Sequence, residues 1–137
     1  AGPPASFRSR LRTTIDAGEH AEAERILASA MGSHRLDAEV QLLAAVVLLE
    51  QGRHREAAAA ARRALYLDPR LSVAALTLGS ALRRGGDLRG ARRAYRVAAV
   101  QLACQPATAE VPLGDGERAG GLLRTVESLL AMAGTDR

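Results

Sequence analysis

The side chains in this sequence that could do chemistry include two of its three histidines, one cysteine and a dense run of arginines. His20 and His54 are separated by a 34-residue step (54−20), and Cys104 is the single cysteine. A metal site needs several convergent ligands and a second shell that orients them, and such a step between two histidines implies neither. No Ser-His-Asp or Cys-His arrangement is singled out by its spacing. We therefore predict no catalytic residue, no metal site and no cofactor in this chain.

Three glycines near the C-terminus, Gly114, Gly116 and Gly120, loosely resemble a phosphate-binding loop. Their spacing misses G-x-G-x-x-G by one residue, and no strand or βαβ unit precedes them. The pattern therefore favours an ordinary loop over a nucleotide site.

The arginine-rich segment from Arg83 to Arg96 surrounds a single acid, Asp87. Such a cluster has three interpretations: a solvated face, a contact for an acidic protein, or a phosphate-binding site for nucleic acid. Nucleic-acid sites often add stacking aromatic side chains. The nearby Tyr95 is needed in the core, so nucleic acid is the partner that we least expect. The candidate basic patch consists of Arg84, Arg89, Arg92, Arg93 and Arg96.

A 34-residue period (52−18 and 86−52) shows which elements must position these side chains. The step relates three sets of small residues: Gly18, Gly52 and Gly86; Ala23, Ala57 and Ala91; and Ala30, Ala64 and Ala98. Each glycine can adopt the positive φ of a helix C-terminus, and the two alanines of each unit allow close approach of neighbouring backbones. The period therefore predicts a repeated helix-turn-helix unit.

The composition agrees with an all-α protein. Aromatic residues are 2% of the chain, and alanine and leucine supply most of the 47% hydrophobic content. Small side chains suit closely packed helices, whereas strands favour β-branched and aromatic residues. The formal charge is +4, and every basic residue is arginine.

The remaining whole-chain features concern location. A lone cysteine fits a reducing compartment, and no apolar run reaches the roughly 18 to 20 residues that span a bilayer. We therefore predict a cytoplasmic protein without a membrane partner. The start AGPPAS is neither an initiator methionine nor a signal peptide, so we expect residues 1–4 to be the remnant of an interdomain linker.

The third unit carries a family resemblance. Its first helix reads Ala75-x2-Leu78-Gly79-x2-Leu82, and its second helix carries Ala91, Tyr95 and Ala98. This pattern resembles the tetratricopeptide repeat. The middle unit departs from it with Ala45 in place of glycine, and the first unit has Arg10 and Leu11 in place of Leu-Gly. The resemblance implies an all-α fold: three helix-turn-helix repeats in a right-handed superhelix, closed by a C-terminal capping helix.

The predicted boundaries follow from this pattern. We expect three repeats over residues 5–103, divided at about 5–36, 37–70 and 71–104, a loop over 105–117, and a capping helix over 118–133. The predicted repeat helices lie near 5–17, 19–31, 37–51, 53–66, 70–85 and 87–103. Leucines and a valine at spacings of three and four after Gly121 indicate that the capping helix is amphipathic.

The tetratricopeptide resemblance also implies a binding groove, because the first helices of such arrays line a concave surface. The implied groove residues are Arg8, Arg12, Ile15, Leu42, Val46, Leu49, Leu76, Ser80 and Arg83. An apolar centre flanked by arginines suggests an amphipathic ligand with acidic ends. Val46 and Leu76 lack the polar donors of the carboxylate clamp in chaperone-binding members. The alternative is that these apolar residues pack on the first unit or on the C-terminal helix.

A finer resemblance rests on the junction Leu67-Asp68-Pro69 and on the later loop that begins Val111-Pro112 and ends Asp115-Gly116. Together they resemble the C-terminal repeat tail of CheR-type chemoreceptor methyltransferases. The resemblance implies a regulatory or targeting domain of an S-adenosylmethionine-dependent protein-glutamate methyltransferase. Its partner would be a chemoreceptor, its own catalytic domain or another signalling protein, and methyl transfer would belong to a domain outside this chain.

Two alternative functions stay open: a tetratricopeptide scaffold of an unrelated bacterial assembly or secretion protein, and nucleic-acid binding through the basic patch. The open end of a repeat stack can also pair with a second copy, so homodimerisation is a further expectation that the sequence does not decide.

Overall fold

The computed structural model describes residues 13–14, 17–34, 36–112 and 116–135. The named helices within these ranges are α1 (His20–His34), α2 (Ala38–Glu50), α3 (His54–Leu67), α4 (Ser72–Arg84), α5 (Leu88–Ala103) and α6 (Ala119–Thr135). Their bounds lie close to the predicted ranges. The predicted helix over 5–17 lies largely outside the described residues, and its described members Thr13 and Thr14 are helical.

The three glycines of the repeat period have the role that the sequence predicts. Gly18, Gly52 and Gly86 have φ angles of +75°, +76° and +87°, in the left-handed region where a β-carbon is disfavoured. The two turns that join α2 to α3 and α4 to α5 close with matching backbone hydrogen bonds: the glycine N–H donates at 3.0 and 3.1 Å, and the following N–H donates at 2.9 Å in both. Both hairpins are therefore made by the same turn.

Asp68 and Pro69 end α3 one residue beyond the predicted bound of 66, because proline disfavours helical geometry in the residue before it and has no N–H to donate. The Asp68 carboxylate accepts from the backbone N–H of Arg70 at 3.1 Å, and its carbonyl accepts from Leu71 at 3.2 Å. Gln101 of α5 donates to the carbonyl of Pro69. This turn thus joins one unit to the next.

The helices pack in chain order, and the first helices of adjacent units, α2 and α4, also touch. The core between α1, α2 and α3 is built from small and branched residues: Ala23, Ile26, Leu27, Val40, Leu43, Ala44, Ala45, Val47, Ala60 and Ala61. Alanine-rich surfaces let helix axes approach closely, which compensates for the scarcity of large side chains.

The last unit packs around one aromatic ring. Tyr95 of α5 is 0% exposed, and a β-carbon built on Gly79 of α4 would lie 2.4 Å from its Cε1 atom. The ring therefore occupies the space that the missing side chain leaves. The hydroxyl oxygens of Tyr95 and Ser80 are 3.2 Å apart and share a hydrogen bond.

Helix α6 covers the end of the stack. Ala119, Leu122 and Val126 are buried in one cluster with Tyr95 and Leu102 of α5. The segment before α6 is held in place by the backbone: the N–H of Ala119 donates to Ala109 at 2.8 Å, and the N–H of Gly120 donates to Ala107 at 2.9 Å. An antiparallel bridge joins Glu110 and Arg118. Among the described helices, none is long and apolar enough to cross a bilayer.

Candidate functional site

One candidate surface lies on the adjacent first helices α2 and α4, and we call it the first-helix face. Its described members are Val46, Leu49, Leu76, Ser80 and Arg83. The first four are half-buried and Arg83 is exposed. Val46 and Ser80 occupy equivalent positions of the 34-residue unit, as do Leu49 and Arg83, so the two helices present corresponding stripes. The predicted groove residues Arg8, Arg12 and Ile15 lie outside the described residues.

Leu42 requires a correction, because it does not belong to this accessible surface. It is 2% exposed and packs in a buried cluster with Leu71 and Ala74. Those two residues begin the following unit, so they cover Leu42 as the stack continues. Leu76, at the equivalent position one unit later, stays half-buried and packs partly against the cluster that includes α6. Packing within the stack therefore buries the side chain of Leu42 fully and that of Leu76 in part.

The polar side chains of the first-helix face, Ser80 and Arg83, differ in whether they already have a hydrogen-bond partner among the described residues. The Ser80 hydroxyl is engaged with Tyr95. Within the described ranges, the side chain of Arg83 has no hydrogen-bond or ion-pair partner. Arg84 Nη1 donates to the carbonyl oxygen of Leu49 at 3.2 Å. Arg84 therefore links α4 to the C-terminus of α2, and it remains exposed.

A second candidate surface lies on the second helices of the units, α3 and α5, and we call it the second-helix face. Of the predicted basic patch, Arg89, Arg93 and Arg96 are exposed on α5 and Arg92 is half-buried. Helix α3 contributes to the same surface, which the arginine cluster in the sequence did not indicate. Its exposed arginines on this face are Arg55 and Arg62, which precede Arg89 and Arg96 by one repeat period each. That period, applied to the arginines, is the signal that could have revealed them.

A groove runs between the two helices of this face. It has a volume of about 250 Å³, and its lining includes Arg62, Leu78, Leu82, Gly90, Arg93 and Val97. A neighbouring hollow of about 280 Å³ shares Arg62 and Leu82 with it and reaches His54 and Asp87. Because the two hollows share lining residues, they are adjacent, and we call them together the α3–α5 groove.

The remaining reactive side chains have local packing roles or stand alone. The His54 ring lies against the next turn, where a β-carbon on Gly85 would be 3.0 Å from its Cδ2 atom. Cys104 is exposed just beyond α5. Among the described residues, no three His, Cys, Asp or Glu side chains are grouped so that they could hold a metal ion.

The Arg53–Glu56 pair is the clearest electrostatic feature. Arg53 Nε donates to Glu56 Oε1 at 3.0 Å, and Arg53 Nη1 lies 3.3 Å from Glu24 Oε1 of α1. The hydrogen bond from Arg53 lowers the pKa of Glu56 below its ordinary value, and the same bond raises the pKa of Arg53. The pair is exposed and lies at the start of α3, so it links neighbouring units without forming a ligand site.

Comparison with known proteins identifies the fold. No protein-family profile matches the sequence. No curated protein matches it either. Among solved structures, a T3SS complex from Aeromonas hydrophila matches with a TM-score of 0.81 and 18% identity over 95% of this chain and 79% of that chain. PcrH from Pseudomonas aeruginosa, in complex with the chaperone-binding region of PopD, matches with a TM-score of 0.80 and 17% identity over 94% and 89%.

A eukaryotic structure gives the same result. The TPR2B domain of yeast Sti1, in a complex with Hsp70, matches with a TM-score of 0.79 and 17% identity over 96% of both chains. Matches across the whole length, at such low identity, show the architecture. The chain has the tetratricopeptide type of all-α repeat fold, as predicted.

Proposed function

We propose that this chain is a protein-interaction module that binds a peptide segment of a partner protein on its first-helix face. The observation that carries the proposal is the pair of corresponding stripes on α2 and α4. Val46, Leu49 and Leu76 are apolar but only half-buried, and concave repeat surfaces are suited to extended ligands. No catalytic or cofactor role is part of the proposal.

The ligand chemistry follows from the same side chains. An apolar strip beside Arg83, whose guanidinium has no partner among the described residues, favours a peptide with apolar side chains and an acidic end. The likeness to PcrH, solved with a region of PopD, and to SycD, solved with a peptide of YopD, supports a peptide as the ligand. The Sti1 domain complex with Hsp70 supports the same class of ligand.

Two biological settings fit such a module. The sequence resemblance at residues 67–69 and 111–116 favours the regulatory tail of a chemotaxis-type methyltransferase, whose partner is a chemoreceptor, its own catalytic domain or another signalling protein. The likeness to type III secretion chaperones favours an assembly or secretion role. The finding of a methyltransferase domain encoded immediately upstream would support the first setting. A peptide ligand taken from an exported protein supports the second.

The direct test of the first-helix face uses peptides selected from a random 12-residue display library panned against the chain. The dissociation constants of the selected peptides are then measured by isothermal titration for variants Val46→Glu and Arg83→Glu. We expect each variant to weaken binding by about tenfold or more, since each reverses or inserts a charge in the contact.

The matched control is Val97→Glu, which places a carboxylate on the second-helix face. Circular dichroism melts establish that all three variants fold. Unchanged affinity of a folded Val46→Glu, Arg83→Glu double variant would reject the first-helix face as the binding site.

A further inference from the structure

The second-helix face carries the same pattern twice. Arg55, Arg62 and Tyr66 on α3 correspond, one 34-residue step later, to Arg89, Arg96 and Val100 on α5. Within each triplet the spacings are seven and four, which place the three side chains along one side of a helix. All six are exposed, and the apolar members are 88% exposed at Tyr66 and 64% at Val100. Large apolar side chains this exposed, repeated in register, indicate a contact surface.

The α3–α5 groove lies between these two stripes, and its depth has a cause in the sequence. Ala75 and Leu82 occupy positions where the tetratricopeptide pattern has tryptophan and tyrosine. Gly90 and Ala94 of α5 are also small, and both line the groove. Because smaller residues stand at these two pattern positions of α4 and small residues line the α5 side, the stacked helices leave an apolar hollow whose floor includes Leu78 and Leu82.

The free charged side chains around this groove are positive. Within the described part of the chain, six arginines on this face make no ion pair and no side-chain hydrogen bond: Arg55, Arg62, Arg89, Arg92, Arg93 and Arg96. The two acids beside them are already engaged. Asp87 accepts from the backbone N–H of Gly90 at 2.9 Å, and Glu56 is held by Arg53.

We propose that the α3–α5 groove is a second docking site, and that its occupant is an acidic amphipathic helix of a partner protein. The apolar side of that helix packs on Leu78, Leu82 and Val97. Its carboxylates meet Arg62 on one rim and Arg93 on the other. The stretch from Arg55 to Tyr66 is about 16 Å long at about 1.5 Å per residue, which matches about three turns of the docked helix.

Charge and polarity together favour this occupant over two others. A nucleic-acid backbone would satisfy the arginines but would leave the apolar floor unfilled. A second copy of the chain that docked face to face would set like-charged stripes against each other, which opposes association. An acidic amphipathic helix satisfies both the floor and the rim. The rims of this site lie on α3 and α5, and its floor uses Leu78 and Leu82 of α4. The first-helix face uses other side chains of α4, so the two sites share no residue.

The test uses a fluorescein-labelled 14-residue helical peptide with leucines at i, i+4, i+7 and i+11 and glutamates at the flanking positions, titrated by fluorescence anisotropy. A matched peptide has glutamine at every glutamate position. We expect saturable binding of the glutamate peptide that weakens with added salt, and binding of the glutamine peptide that is weaker by about tenfold or more.

The protein variants locate the contact. Arg62→Glu combined with Arg93→Glu should weaken binding of the glutamate peptide by about tenfold or more. Arg70→Glu combined with Arg124→Glu changes the net charge equally at exposed positions that do not line the groove, and should stay within about twofold of the unchanged protein. Val97→Glu tests the apolar wall and should weaken binding as well. All these side chains are exposed, and circular dichroism melts confirm folding.

Four results would overturn the proposal. The first is an equal loss for both double-arginine variants, which would indicate non-specific attraction. The second is loss of the peptide on Val46→Glu, Arg83→Glu instead, which would place it on the first-helix face. The third is tighter binding of a 20-nucleotide single-stranded DNA, lost in Arg62→Glu, Arg93→Glu. The fourth is a dimer, seen by light scattering, that the same variant converts to a monomer.

Discussion

The middle unit (α2 and α3) and the last unit (α4 and α5) solve one packing problem with opposite residues. Where the last unit pairs Gly79 with Tyr95, the middle unit pairs Ala45 with Ala61, one repeat period earlier in each case. Tyr95, Ala45 and Ala61 are all 0% exposed. A glycine opposite a tyrosine leaves room for the ring, whereas two alanines opposite each other let the two helices of the hairpin approach closely. The two hairpins are therefore packed by different means at equivalent positions of the repeat.

The starts of the second helices differ in the same way. Arg53 and Glu56 open α3 with an exposed side-chain pair, and Arg53 makes no side-chain cap hydrogen bond. The equivalent residues of α5 are Asp87 and Gly90, where the carboxylate caps the helix directly. The last unit thus satisfies the free N–H groups of its helix with its own side chain. The middle unit instead joins its helix to its neighbours by charge.

Tyr95→Ala should show the largest effect, because the last unit depends on one ring. Removing a fully buried aromatic side chain costs about 4 kcal/mol through lost contacts and the cavity left behind. Tyr95→Phe removes only the hydrogen bond to Ser80 and should cost about 1 kcal/mol. Urea unfolding followed by circular dichroism measures both. Equal losses for the two variants would show that the ring is not the packing element.

Gly79→Ala should have the next largest effect, a net loss of about 2 kcal/mol in the free energy of unfolding. The added methyl group meets a rigid buried ring, which costs about 3 kcal/mol. The better helix propensity of alanine offsets about 1 kcal/mol of that cost. The reverse change in the middle unit, Ala45→Gly, should cost about 1.5 kcal/mol, since it loses propensity and a buried methyl group. In a Tyr95→Ala background, Gly79→Ala should instead stabilise the protein. Urea unfolding of the four variants measures this, and destabilisation of the same size in both backgrounds would contradict the Gly79–Tyr95 contact.

The two helix starts should respond unequally to alanine. Asp87→Ala removes a cap and should cost about 1 kcal/mol. Arg53→Ala removes an exposed pair without a cap bond and should change the free energy of unfolding less. Thermal unfolding at low and high salt separates them, because salt screens the Arg53 pair far more than the cap. A larger loss for Arg53→Ala would reverse this assignment.

The smallest effect concerns pH. The folded protein lowers the pKa of Glu56 from 4.5, chiefly through the hydrogen bond from Arg53. Its contribution to stability is therefore present above the ordinary pKa and is lost as the pH falls through the lowered pKa. Because both side chains are exposed, the change in stability is small. Carboxyl NMR titration should show the pKa of Glu56 return to its ordinary value in Arg53→Gln. An unchanged titration would contradict the pair.

Much of the fold followed from the period alone. Glycines at the repeat period predicted the turns, and the structure gives Gly18, Gly52 and Gly86 positive φ. The Asp68-Pro69 break and the amphipathic C-terminal segment were equally readable, because backbone chemistry and periodicity act locally. The candidate site was harder. Leu42 fits the groove stripe by spacing, yet the next unit covers it.

The second-helix face also shows that the sequence alone does not reveal which residues share a surface. The arginines of α5 were visible as a cluster in the sequence. The arginines of α3 are related to them by the 34-residue period, but only the stacking of the units places both sets on one surface. Arg84 illustrates the reverse case: it is close to the cluster in sequence, but its side chain bonds to Leu49 of α2.

The amino-acid sequence by itself determined where the helix pairs turn, that the C-terminal helix is amphipathic and how far apart equivalent residues lie, because φ preferences and periodicity depend on near neighbours. The tertiary structure alone decided which apolar residues remain accessible and which arginines share a surface. Those properties depend on the packing of one unit against the next, which buries Leu42 and leaves a groove between α3 and α5 where small side chains cannot fill the gap.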